Sequence, residues 1–163
     1  MYRIGRDGLD INKIGVKEND VTVFVFGEVD ARVHILKQAN EKKCEIKVVV
    51  KELVSSYIKS IIQNKSVCKS IKTIIMAVVP PTQACGLDNI PIFGTIEERI
   101  NIVRLLNKNI HKECSKYNLI MLDVNDLYSK NNILDPELSD SCNHINMAYN
   151  DPIKKRLIDI IAS

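Results

Sequence analysis

The stretch that most constrains the fold runs from Val21 to His34, VTVFVFGEVDARVH. Its first six residues are almost all β-branched or aromatic. A nearly continuous apolar run of this length predicts a strand buried on both faces, as in a parallel sheet. Because ligands bind at the carboxyl ends of strands in open α/β sheets, we expect any functional site to be built around the end of this strand. Gly27 ends the run, and ionisable residues follow at every second position: Glu28, Asp30, Arg32 and His34.

The rest of the chain alternates between strand and helix patterns. Apolar runs at 71–79 and 119–124 predict two more buried strands, and periodic apolar positions in 45–64, 95–117 and 151–161 predict helices. Thr95 and Glu98 have the spacing of a capping box at the start of the second helix. This alternation predicts an α/β fold with a parallel sheet and helices on both faces. A length of 163 residues predicts a single domain over 1–163.

Composition excludes several classes of protein. The net charge of +3 is too small and scattered to indicate a nucleic-acid partner, and no apolar run approaches the roughly 18 residues of a membrane span. The first ten residues lack the apolar core of a secretory signal. The five cysteines are widely spaced, with no CxxC, which is typical of reduced thiols rather than of a disulfide framework or a zinc site. These features predict a cytoplasmic protein that has no membrane or nucleic-acid partner.

The clearest catalytic candidates are Asp140 and His144, in the segment LSDSCNHIN. They lie four positions apart, which is one helical turn if the segment tightens there. A carboxylate beside an imidazole fixes its tautomer and raises its basicity. The alternative is that His144 is a surface or capping histidine and Asp140 a turn residue. In a parallel sheet, Asp140 and His144 would meet the strand-end residues and Thr82 at one edge.

The residues behind the first strand allow two interpretations. They form either a ligand-binding site or a salt-bridge cluster that fixes the strand end, with Glu28 or Asp30 paired to Arg32. No ligand spacing specifies a metal site, and the glycine motifs of phosphate and dinucleotide binding are absent, so we expect no cofactor. Cys142 is close to His144 in sequence, but adjacency is not the geometry that activates a thiol.

Three motifs together resemble the SGNH (GDSL-like) hydrolases: FGEVD after the first strand, VVPPT after the second, and SDSCNHI before the last helix. FGEVDARVHI and GTIEERINIVRLLN further resemble a branch with a GE-hydrophobic-D-x-R-x-H motif. The resemblance implies a flavodoxin-like three-layer α/β/α sandwich and hydrolysis of acyl esters on carbohydrates or lipids. It implies that His144 is the base and Asp140 its orienting acid. Gly27, Glu28, Asp30, Arg32, His34 and Thr82 would then line or brace the substrate site.

The sequence departs from this family pattern in three places. It contains no Gly-Asp-Ser nucleophile motif, Val29 stands at the position of an oxyanion-binding Asn, and three residues rather than two separate Asp140 from His144. The absence of the nucleophile serine allows two expectations about the chain. Met1 is an internal residue of a longer protein, or the chain is a non-catalytic relative that binds a ligand such as a glycan. Loss of the family's first strand would expose a sheet edge, for which a homo-oligomer is one means of cover.

Overall fold

Three parallel strands form the centre of the fold in the computed structural model, which describes residues 1–67, 72–83 and 91–162. The strands are β1 (Val21–Phe24), β2 (Lys72–Met76) and β3 (Ile120–Leu122), in the order β1-β2-β3. In their register, Val23 lies opposite Ile74, which lies opposite Ile120 on its other side. All three carboxyl ends therefore meet at one edge of the sheet.

Helices and a small hairpin surround this sheet. Short 3₁₀ turns cover Ile11–Ile14 and Met147–Tyr149, and a π-helical turn covers Asp30–His34. The two-stranded hairpin is formed by β4 (Ser129–Lys130) and β5 (Ile133–Leu134). The α-helices are α1 (Tyr2–Asp7), α2 (Ile35–Lys42), α3 (Ile46–Val67), α4 (Ile96–Tyr117), α5 (Asn125–Tyr128) and α6 (Asp151–Ala162).

Alternate strand residues point into two separate apolar layers. Phe24 and Ile75 pack with residues of α1 to α4 on one face of the sheet. Ile74, Met76 and Leu122 pack on the other face, with residues of α5, β5 and α6. This alternation is the period-2 pattern of strand side chains, and it makes the fold a three-layer α/β/α arrangement. The predicted fold class is confirmed.

The start of α4 follows the predicted capping chemistry. The Thr95 hydroxyl accepts a hydrogen bond from the Glu98 backbone N–H, and the Glu98 carboxylate accepts one from the Thr95 N–H. The buried residues of the helix include Arg99 and Ile102, whereas Ile96 and Ile100 are only partly covered. A guanidinium thus occupies a position of the apolar face.

Two details of the first strand differ from the prediction. The strand ends at Phe24, and Val25 and Phe26 are exposed. Among the described residues β1 pairs only with β2, so it is an edge strand. Val21 is exposed and Thr22 and Val23 are half-buried, so the strand is not buried on both faces. The ionisable residues after Gly27 lie in helical turns that continue from Glu28 through α2. Because residues two positions apart project from different sides of a helix, the side chains of Glu28 and Arg32 lie on a different side from those of Asp30 and His34.

Candidate functional site

The segment 138–146 is a tight loop closed by backbone pairing. Ser139 and Ile145 form an antiparallel bridge, the Asp140 N–H donates to the His144 carbonyl at 2.9 Å, and the Asn146 N–H donates to the Leu138 carbonyl at 2.8 Å. The loop reverses the chain without a helical turn. The expectation of a helical turn between Asp140 and His144 is therefore wrong, although the two residues do meet.

The Asp140 carboxylate holds the inside of this loop. Its Oδ1 atom accepts hydrogen bonds from the backbone N–H groups of Cys142, at 2.9 Å, and His144, at 3.1 Å. Ser141, between them, has a positive φ of 69°. An Asp side chain that accepts a backbone N–H two residues on is a common means of stabilising such a turn. The turn role that the sequence left open for Asp140 is thus present in the structure.

The second carboxylate oxygen of Asp140 faces the histidine ring. Its Oδ2 atom lies 3.0 Å from Nδ1 of His144, whose side chain is 69% exposed. Partial burial acts to raise the pKa of Asp140, but the hydrogen bonds from His144 and Cys142 outweigh it, so the pKa lies below its ordinary value. An ionised Asp140 favours the tautomer in which Nδ1 carries the proton, and this leaves the lone pair of Nε2 free to accept one.

His144 lies on a cavity of about 280 Å³ at the carboxyl edge of the sheet. The opposite wall comes from the end of β1 and the first helical turn after it, which includes Gly27, Glu28 and Asp30. Of the residues expected to converge at this edge, Glu28, Asp30 and His144 line the cavity, whereas Arg32, His34, Thr82 and Asp140 are not among its described lining residues. The cavity is lined by Met1, Val25, Phe26, Gly27, Glu28, Val29, Asp30, Ala77, Val78, Val79 and His144.

Gly27 has no space for a side chain. Its φ is 121°, and a Cβ atom there would lie 2.5 Å from Cγ2 of Val78 and 2.7 Å from Cε of Met1. Glycine adopts this backbone conformation without steric cost. Gly27 therefore permits β1, the next helical turn and Met1 to pack together at the cavity.

The Asp30 carboxylate is buried and bound by the start of the chain. Its Oδ2 atom lies 2.7 Å from the Met1 amino group, and its Oδ1 atom accepts from the Tyr2 N–H at 3.2 Å. His34, one helical turn further on, lies against the Tyr2 ring with the ring centroids 5.7 Å apart. His34 lines a neighbouring cavity of about 320 Å³ and not the cavity that His144 lines.

Glu28 and Arg32 form the ion pair that the salt-bridge interpretation predicted. Nε of Arg32 lies 2.6 Å from Oε1 of Glu28, and both side chains are mostly buried. Arg32 also binds the stretch before α4, because its Nη1 donates to the Pro91 carbonyl and its own carbonyl accepts from the Phe93 N–H. The pair therefore ties the helix after β1 to the chain that leads into α4.

Thr82 lies under the 138–146 loop. Its hydroxyl donates to Oδ1 of Asn143 at 2.9 Å, and its carbonyl accepts from Nη1 of Arg99 at 2.7 Å. All three residues are buried. Sequence reasoning missed Arg99 and Asn143. An arginine in register with Ile102, Val103 and Leu106 on one face of α4 is the signal by which Arg99 could have been found.

The sequence predicted reduced cysteines, and one of the described cysteines is not a free thiol. Cys44 and Cys114 are free thiols, but Cys142 is disulfide-bonded. The expectation of reduced thiols is therefore wrong for Cys142, and the argument from cysteine to a cytoplasmic location loses its basis. Cys68 and Cys85 lie outside the described residues.

The described part of the chain holds no group of three or more His, Cys, Asp or Glu side chains placed for a metal ion, and none of its helices is long and apolar enough to cross a membrane.

Comparison with solved structures shows a similarity in fold. The chain is similar to the crystal structure of an extracellular lipase from Streptomyces rimosus, with a TM-score of 0.51 and 11% sequence identity, over 88% of this chain and 69% of the lipase. The chain shares the fold of that lipase. At this identity the similarity shows the fold alone. No family model matches the chain, and no curated protein matches it.

Proposed function

We propose that the chain hydrolyses acyl esters carried by a small molecule, a glycan or a lipid, with His144 as general base and Asp140 as its orienting acid. The observation that carries the proposal is the 3.0 Å contact between the two side chains, at the rim of a cavity on the carboxyl edge of the sheet. Similarity in fold to a lipase and the SDSCNHI motif support it.

The proposed reaction uses the free Nε2 atom of His144. This atom takes a proton from the attacking oxygen as that oxygen bonds to the ester carbonyl carbon. The tetrahedral intermediate then breaks its bond to the alcohol oxygen, which takes the proton back from the imidazolium. The products are a carboxylic acid and an alcohol. Asp140 remains ionised throughout and stabilises the imidazolium.

Water is the nucleophile in this proposal. No Ser, Thr or Cys stands among the described residues that line the cavity, so none of their hydroxyl or thiol groups faces His144 across it. The first helical turn after Gly27 also lines the cavity. N–H groups in the first turn of a helix have no partner within the helix, and they favour a developing negative charge.

The apolar wall of the cavity fits the acyl part of an ester. Val25 and Val29 are 60% and 47% exposed, and Phe26 between them is also exposed. All three line the same cavity as His144. Neighbouring exposed apolar side chains beside a polar group are typical of small-molecule sites, in which a few polar atoms orient an apolar ligand.

The test is hydrolysis of 4-nitrophenyl acetate and 4-nitrophenyl butyrate by the purified chain. We expect turnover by the wild type and by His111→Ala, because His111 is exposed on α4, and loss of turnover in His144→Ala. Free imidazole at matched concentration controls for uncatalysed hydrolysis. Equal rates for the wild type and His144→Ala would rule the proposal out.

One observation favours a second function, binding without hydrolysis. The cavity carries a base but no side-chain nucleophile among its described lining residues. On this alternative, the chain binds an acetylated oligosaccharide at the same edge and leaves its ester intact. Calorimetric titration with that ligand, followed by mass analysis of the recovered sugar, separates the two functions. Recovery of deacetylated sugar contradicts the binding-only alternative.

A further inference from the structure

The buried contacts beneath the His144 loop form a continuous path from α4 to the histidine. The path begins at Arg99 in the first turn of α4, whose Nη1 donates to the Thr82 carbonyl at 2.7 Å and whose Nη2 donates to the Gln83 carbonyl at 3.3 Å. The Thr82 hydroxyl then donates to Oδ1 of Asn143 at 2.9 Å. Asn143 is the residue before His144.

The three side chains that form the centre of this path are removed from water. Arg99, Thr82 and Asn143 are 4%, 7% and 4% exposed. Burial lowers the pKa of the Arg99 guanidinium, and the nearby charge of Arg32 lowers it further. Polar groups at this depth are costly unless they are hydrogen-bonded, so the path adds a specific geometry that an apolar contact would not impose.

Asn143 is the buried residue that holds the 138–146 loop against the interior of the protein. Its Oδ1 is held by Thr82, and its Nδ2 lies 3.2 Å from Sγ of Cys142. The next residue, His144, is exposed, and the Asp140 carboxylate orients its ring. Within the loop, backbone and carboxylate hydrogen bonds join His144 to Asp140, and the Asn143 side chain joins this part of the loop to Thr82 in the interior.

We propose that Thr82 is a positioning residue for His144, and that it acts through Asn143 and is itself held by Arg99. This inference rests on the proposed function for the role of His144 as a base. The side chain of Thr82 does not contact the cavity that His144 lines. In the absence of the Thr82 hydroxyl, Asn143 loses a buried hydrogen bond, and we expect the neighbouring His144 ring to be held less closely to Oδ2 of Asp140.

The test measures the tautomer of the His144 ring and does not require activity. Long-range ¹H–¹⁵N correlation spectra of ¹⁵N-histidine-labelled protein distinguish a ring protonated at Nδ1 from one protonated at Nε2. We expect Thr82→Val to lower the ratio of the Nδ1–H to the Nε2–H form about fivefold, the factor that corresponds to one neutral hydrogen bond. Thr82→Ser retains the hydroxyl and is expected to keep the wild-type ratio.

The chain offers a matched control in Thr73 of β2. Thr73 is also buried, and its hydroxyl has no hydrogen-bond partner among the described residues. Thr73→Val therefore makes the same chemical change at the same depth, and we expect the wild-type tautomer ratio in it. Asp140→Asn serves as the reference for full loss of the Nδ1–H preference.

A wild-type ratio in folded Thr82→Val would overturn the positioning role, and so would an equal shift in Thr73→Val. If Thr82→Val does not fold, Thr82→Ala carries the same expectation, since it removes the hydroxyl without a new methyl group at its position. These outcomes are independent of ester hydrolysis. A shifted ratio in a protein that does not hydrolyse esters supports the positioning role and contradicts the proposed function.

Discussion

Asp140 uses its two carboxylate oxygens for different tasks: Oδ1 accepts the Cys142 and His144 backbone N–H groups, while Oδ2 lies 3.0 Å from Nδ1 of His144. The substitution Asp140→Asn separates these tasks, because an amide oxygen still accepts the two N–H groups while the amide nitrogen faces the ring. We expect the loop to keep its fold and the rate of 4-nitrophenyl butyrate hydrolysis to fall by about 10²-fold or more, since a general base contributes on that scale. Initial rates, together with the circular dichroism spectrum of each protein, measure this. An unchanged rate would exclude Asp140 as the orienting acid.

The lowered pKa of Asp140 predicts how its contribution to the free energy of unfolding depends on pH. A carboxyl group whose pKa is lower in the folded state stabilises the fold above its unfolded pKa, and this contribution is lost as the pH falls through the folded value. For Asp140 the loss is therefore expected below its ordinary value of 3.8. The difference in free energy of unfolding between wild type and Asp140→Asn should therefore shrink as the pH falls below about pH 4. Urea unfolding at a series of acidic pH values measures this difference, and a difference that grows as the pH falls below about pH 4 would contradict the sign.

The Glu28–Arg32 pair should matter more for stability than an exposed pair of the same spacing. Glu28→Gln leaves the mostly buried Arg32 guanidinium without its carboxylate, and we expect a loss of about 1–3 kcal/mol in the free energy of unfolding. Lys37 and Glu41 have the same spacing on α2, but both side chains are exposed. Glu41→Gln should therefore change stability by less than about 0.5 kcal/mol. Denaturant unfolding compares the two variants, and equal losses would show that burial of the pair is without effect.

Alanine substitutions at Gly27 and Gly15 distinguish the cost of backbone strain from the cost of steric overlap. Both have positive φ, but a Cβ atom at Gly15 meets nothing within 4 Å, whereas one at Gly27 overlaps Val78 and Met1. Gly15→Ala should cost about 1–2 kcal/mol from backbone strain alone. Gly27→Ala should cost about 2–4 kcal/mol, since the overlap adds to that strain. Thermal unfolding measures both, and a smaller loss for Gly27→Ala would contradict the packing of the cavity wall.

Features that depend on the local spacing of residues were predicted from the sequence. Features that depend on contacts between residues far apart in the sequence were not. The strands, α3 and the capping box of α4 follow from apolar spacing and from Thr95 and Glu98, which are chemical signals within a few residues of one another. The apolar run of β1 did not predict its edge position, because such a run does not reveal how many strands flank it, and only the family resemblance indicated an exposed sheet edge. Likewise, Asp140 and His144 were recognised from a short motif. The buried path through Arg99 and Asn143 was not, since it joins residues that are 17 to 61 positions apart.

The edge position of β1 also has a consequence for how copies of the chain behave towards one another in solution. Within the described residues the strand has a partner on one side only, and Val21 at its start and Val25 and Phe26 just beyond its end are exposed. Natural proteins protect such edges with lysine, proline or a bulge, whereas Thr22 is the only polar residue in this strand. An outer strand of this composition is a template for strand pairing between molecules. We therefore expect self-association of the purified chain at high concentration to depend on β1 and not on the His144 loop.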